Sequence, residues 1–161
     1  MRVRFHYEDF GWDIAGSWKD LYPGVMIESW DTSFIESLNG CRLYVCDHLA
    51  TTFTEALSAD KPTILFWNPA INELRPQAQP YYDRLRESGI LYYSPEEAAN
   101  AVTAVYDDVE SWWNNPDRQE ARRTFCSQFA RTSADAVKEW VDEFNLVARG
   151  DMETILKSVA V

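Results

Sequence analysis

The stretch LYVCDHLATTFTEALSADKPTILFW, residues 43–67, decides the fold class. It opens with a short apolar run rich in β-branched and aromatic residues, breaks at Asp47 and His48, and then sets Phe53, Ala56 and Leu57 on one helical face before ending in the second apolar run PTILFW. Runs of that length and composition read as strands, and the 3.6-residue spacing between them reads as a helix. Two strands joined by a helix pair in parallel, because the crossover returns the chain to the same edge of the sheet. The unit is strand, helix, strand, with a polar knot at the carboxyl end of its first strand.

Outward from that unit the alternation continues. RVRFHY at residues 2–7 alternates polar residues with Val3, Phe5 and Tyr7 and predicts a first strand. The following EDFGWDIAGSWKDLYPG has no clear period and reads as a loop or broken helix, while VMIES is a short strand and TSFIESLNGC a helix carrying Phe34, Ile35 and Leu38. Beyond residue 67, RPQAQPYYDRLRESG predicts a helix entered at Pro76 or Pro80 and stopped at Gly89, and ILYYS a further strand. Ser94-Pro95-Glu96-Glu97 is a helix start, combining a hydroxyl cap, proline in the first turn and carboxylates at the positive end of the dipole. Its apolar face is Ala98, Val102, Val105 and Val109.

From Asp117 the pattern is helical, with Ala121, Phe125 and Phe129 four apart. After a Thr132-Ser133 cap come Val137, Trp140, Val141 and Phe144, and residues 150–161 predict a weak last helix or a frayed end. The expected class is α/β: a Rossmann-like parallel sheet covered by helices, in one domain over 1–161. Residues 1–110 form the strand and helix core, and 117–161 form extra helices that either extend the cover or reach toward a neighbour.

Composition narrows the function. Lys and Arg number 15 against 26 Asp and Glu, a formal net charge of −11, so the summed field repels nucleic acid and anionic lipid. A phosphate still binds where backbone N–H groups converge, since those act locally. Cys41, Cys46 and Cys126 are odd in number and lack CxxC spacing, which fits neither a disulfide framework nor a zinc cluster. That usage, and the lack of an apolar run near the roughly 20 residues of a membrane span, predict a protein of the cytosol without a transmembrane segment. HExxH, GxSxG and Walker A patterns are missing, and no metal motif of the DxD kind is clear, Asp107-Asp108 being half of one by accident.

At the carboxyl edge of a parallel sheet, the loop into the next helix offers N–H groups and a positive dipole end. Asp47, His48, Thr51, Thr52 and Glu55 fall at such a junction. Two accounts of them stay open. In one, Thr51 or Thr52 caps the helix and presents donors to a phosphate, with Glu55 a turn further on; in the other, Thr51, Thr52 and Glu55 are a capping box, Asp47 orders a turn and His48 is a loop histidine. Trp67, at the next strand end, packs in the core or faces a ligand. Arg75 clamps a phosphate or pairs with Glu73, and Trp112-Trp113 and Arg122-Arg123 read as packing and as a solvated face.

The pattern D-H-x-x-T-T-x-x-E-A-L-x-x-x-K-P-T-I-L resembles the donor-binding segment in the C-terminal half of GT-B glycosyltransferases and their relatives, the glycerophosphotransferases and nucleotide-sugar epimerases, with Thr51-Thr52 where S-T or S-S is usual. The segments around W-N-P-x-x-x-E-L-R-P and W-W-N-N-P-x-x-Q-x-A-R-R are similar to a group of bacterial transferases linked to surface carbohydrate, the likeness covering roughly residues 2 to 145. The resemblance implies a nucleotide-diphosphate sugar or similar donor as substrate, no separate cofactor, and no bound metal. It implies that the loop before Thr51 and the helix start after it hold the diphosphate and that Glu55 contacts ribose or sugar. It also brings Arg4 and His6 near the phosphate, although the proline of the relatives' K-x-H-P is not present. GT-B enzymes close two halves over one cleft, so the expected partner is an N-terminal half, or self-association through the exposed cleft face, without which transfer is not expected. Two alternatives remain: half of a nucleotide-sugar epimerase, and a non-catalytic α/β interaction module docking a protein through its acidic surface and tryptophan-rich first loop.

Overall fold

The computed structural model describes residues 1–150, so the last helix expected over 150–161 lies, past Gly150, outside the described residues. In chain order the elements are β1 (Arg2–Val3), α1 (Ile14–Leu21), β2 (Met26–Ile27), α2 (Phe34–Gly40), β3 (Tyr44–Cys46), α3 (Thr51–Ser58), β4 (Thr63–Phe66), α4 (Gln79–Glu87), β5 (Leu91–Tyr92), α5 (Pro95–Val105), α6 (Val109–Trp113), α7 (Pro116–Phe129) and α8 (Ala136–Ala148). Every strand pair is parallel. The class is α/β, with parallel strands flanked by helices.

The strands form two sheets rather than one: β1 with β2, and β3-β4-β5 in that order. β4 is central, with register Val45 to Ile64 and Leu65 to Leu91. Thr63, Ile64 and Leu65 are consecutive and all buried. Side chains alternate across a strand, so both faces of β4 are covered. Leu65 joins Phe53 and Leu57 of α3, Tyr82 and Leu85 of α4 and Phe125 of α7 in one cluster. Fully burying Phe125 is worth about 1.5–3 kcal/mol by itself. α5 packs on β4 and β5.

The tail helices divide. α7 is tied to the C-terminal end of α3, where Asp60 takes a left-handed conformation at φ 54°. Arg122 donates to the Leu57 carbonyl at 2.9 Å and pairs with Asp60 at 3.1 Å, and Trp113 Nε1 donates to Asp60 Oδ1 at 2.9 Å. These contacts fasten α6 and α7 to the end of α3. Arg122 is therefore a clamp and not part of a solvated face, whereas Arg123 with Glu120 and Arg131 with Glu139 do lie on the surface. α8 buries none of its residues, and Val137, Trp140, Val141 and Phe144 are half or more exposed.

Several boundaries differ from expectation. β1 ends at Val3, where RVRFHY predicts a strand through residue 7. α1 forms where a loop or broken helix is expected, because Asp13 caps it by accepting from Gly16 N at 3.2 Å. Val109 does not extend α5; it opens α6, capped by Asp108. α8 starts at Ala136 behind Asp135, and Ser133 donates to Glu139 rather than capping.

Candidate functional site

The polar knot lies between β3 and α3, at the carboxyl end of β3. Cys46 is buried and ends the strand, and its thiol reaches the His48 carbonyl at 3.3 Å. The chain then turns outward, leaving the side chains of Asp47 and His48 largely in solvent. His48 Nδ1 lies 2.7 Å from Asp47 Oδ1. With the Nδ1 proton directed at Asp47, Nε2 is left as the acceptor.

α3 then begins with no side chain over its end. Ala50 is the N-cap in extended conformation and has no side-chain hydrogen bond to offer. The expected capping box is not formed at Thr51, Thr52 and Glu55. Thr52 stands inside the first turn, and its hydroxyl accepts from Tyr44 OH at 3.1 Å, which fastens α3 to β3. Burial holds the Tyr44 phenol far above its ordinary pKa, so it remains a donor there. Thr51 is exposed, and its hydroxyl has no hydrogen-bond partner among the described residues. The outcome is a helix N-terminus facing solvent, with the first N–H groups and the Thr51 hydroxyl unclaimed by protein side chains. A complete capping box does exist elsewhere, between Ser33 and Glu36 at the start of α2.

Glu55, one turn on, lines a shallow depression of about 420 Å³ with Thr54, Ser58, Arg131, Thr132 and Ile35. That places Glu55 on the flank of α3 facing the α7–α8 connection. Trp67 is buried, 5.9 Å from Phe53 and edge-on to Tyr82, and packs in the core. Arg75 is exposed and makes no ion pair among the described residues.

Arg4 and His6 are not joined to the knot by any hydrogen bond or ion pair among the described residues. Arg4 donates to the Thr32 carbonyl at 2.6 Å and to Ser37 at 3.1 Å, pairs with Glu28, and lies 4.3 Å from the Trp30 ring centre. Its guanidinium is occupied in joining β1 to β2 and α2. His6 stacks on Phe10 and accepts from Glu8 N. Trp113 is core and Trp112 carries Arg118 on its face. No group of three or more His, Cys, Asp or Glu side chains among the described residues is arranged to hold a metal ion, and no described helix is long and apolar enough to cross a membrane.

The arrangement is a helix N-terminus without a side-chain cap, preceded in the same loop by the paired side chains of Asp47 and His48. Among known proteins, the family model described as LIC12162 family transferase matches residues 1–144. No curated protein and no solved structure matches the chain.

Proposed function

Because the chain belongs to the LIC12162 family of transferases, we propose that it binds a nucleotide-diphosphate donor, such as a nucleotide sugar, at the junction of β3 and α3. One observation carries the reading: α3 starts at the carboxyl end of a parallel strand with an alanine at its cap and no side chain on its first N–H groups. In this reading the diphosphate accepts from the N–H groups of Thr51, Thr52 and Phe53 and from the Thr51 hydroxyl. Charge on the leaving diphosphate is stabilised there as the transferred group departs. His48, its Nδ1 held by Asp47, stands beside that charge, and in its doubly protonated form its Nε2–H donates to the departing diphosphate. Glu55 and Arg75 are the side chains left free to meet the sugar or ribose. Arg4, His6 and Trp67 drop out of the donor site, since their groups are engaged elsewhere. Two or three charge-assisted hydrogen bonds, net of desolvation, support a free energy of about 4–8 kcal/mol, a Kd of roughly 1 mM to 1 μM.

The biological setting that goes with the sequence resemblance is surface-carbohydrate synthesis, with a second Rossmann-like half closing a cleft over the donor. The test is a calorimetric titration with UDP, CDP, GDP and dTDP, repeated with amide chemical shifts as the readout. Saturable binding of one of them, shifting the amides of Thr51 to Phe53 and weakened in Thr51→Ala, supports the donor site. Absence of binding by all four, or shifts confined to other parts of the chain, overturns it.

A further inference from the structure

The two loops at the carboxyl ends of β1 and β2 hold a group of aromatic rings that the core does not use. Tyr7, Phe10, Trp12 and Trp30 are 66%, 61%, 72% and 52% exposed. They nevertheless touch one another through His6: His6 lies 4.7 Å from Tyr7 and 5.5 Å from Phe10, Phe10 lies 5.9 Å from Trp12, and Tyr7 meets Trp30 edge-on at 6.1 Å. Burial does not hold these rings, so something else must.

Local hydrogen bonds do. The Asp9 carboxylate accepts from Gly11 N at 2.9 Å and Trp12 N at 3.1 Å, closing a turn in which Gly11 takes φ 82°, a conformation that suits glycine. Arg4 lies against one face of Trp30 and anchors the second loop through the Thr32 carbonyl. Exposed rings whose backbone is fixed by local hydrogen bonds have less freedom to lose when they meet a ligand.

We infer that this platform binds a neutral saccharide by stacking, and that in the transfer reaction it receives the acceptor. Sugar rings present C–H faces to the electron-rich faces of aromatic rings, and their hydroxyls donate to carboxylates. The rings here are interleaved with Glu8, Asp9 and Asp31, all exposed. The charge of −11 opposes polyanions, so the rings do not serve nucleic acid. The position also fits, because ligands of parallel sheets gather at the carboxyl ends of strands. Only the role as acceptor rests on the proposed transfer function; the stacking itself does not.

The experiment uses no nucleotide, which separates its failure from failure of the donor site. The protein is titrated with two neutral trisaccharides, one β1,4-linked and one α1,4-linked glucose trimer, and with uridine, following tryptophan fluorescence and saturation transfer from protein to sugar protons. Trp12→Ala and Trp30→Ala are run alongside, with circular dichroism to confirm that each is folded. The expected result is saturable binding of at least one trisaccharide, weakened roughly tenfold or more in either variant. Binding of neither sugar up to its solubility limit overturns the inference. So does sugar binding unchanged in both variants, or a platform that takes uridine and not sugar.

Discussion

The β3-β4-β5 sheet with α3, α4 and α7 and the elements at either end of the chain are built on opposite principles. In the first, Phe53, Leu57, Leu65, Leu85 and Phe125 are almost wholly buried, and side-chain hydrogen bonds join α7 to the end of α3 in both directions. In the second, the loops of β1 and β2 and the apolar face of α8 keep large rings in solvent. The difference separates what holds the protein together from what the fold leaves open to solvent. Local stability follows buried apolar contact, so the middle sets the unfolding free energy and the ends are free to adapt.

Breaking the comparison at its strongest point takes one ring. Phe125→Ala removes a fully buried phenyl and costs about 3–5 kcal/mol, read as the change in denaturant midpoint. Phe144→Ala, on the exposed face of α8, changes stability by no more than about 0.5 kcal/mol in the same assay. Equal effects would erase the distinction. Next in size is the clamp: Arg122→Met removes the largely buried guanidinium that bonds Asp60 and the Leu57 carbonyl and costs about 1–2 kcal/mol. Arg123→Met, facing solvent, costs less than about 1 kcal/mol.

Alkali acts on the middle as well. Burial raises the phenol pKa of Tyr44, Tyr82 and Tyr92 and the thiol pKa of Cys41 and Cys126. A raised native pKa means that the folded state holds the proton more tightly, so this stability is complete below the ordinary values, 9.0 for the thiols and 10.0 for the phenols. It is lost as pH rises through the native values. Denaturant midpoints measured from pH 8 to 11 are expected to fall above about pH 9, and Tyr44→Phe to lessen the fall. Acid has a smaller, opposite effect at the surface. The hydrogen bond from Arg86, and next that from Tyr93 N, lower the Glu97 pKa from 4.5. That contribution is present above pH 4.5 and fades as pH falls through the lowered value, and Glu97→Gln removes its pH dependence.

The same two regions differ in how well the sequence announces them. β3, α3 and β4 are legible because two strand-like runs flank a helical face within 25 residues, and α5 because Ser94 and Pro95 start it as expected. The knot is legible as a place and not as an arrangement. A threonine followed three residues later by glutamate fits Thr52 and Glu55 as a capping box, but the hydroxyl is taken by Tyr44, eight residues away across the strand, and the helix starts two residues sooner. No local pattern records that contact. α1 is obscured for a related reason: its cap, Asp13, takes a left-handed conformation that composition does not reveal. The role of Arg122 depends on Asp60, 62 residues earlier, and lies equally beyond reading by period.

The central claim is that the bare N-terminus of α3 is kept open for a donor diphosphate. Ala50→Asp tests it most directly, because aspartate at that cap accepts from the same N–H groups and sets a negative charge where the diphosphate would lie. Stability and binding of UDP, CDP, GDP and dTDP are measured on the variant and the native protein together. The account predicts a variant more stable by about 0.5–1 kcal/mol that has lost the binding seen in the native chain. A variant that gains this stability and binds the same diphosphate with undiminished affinity would contradict it.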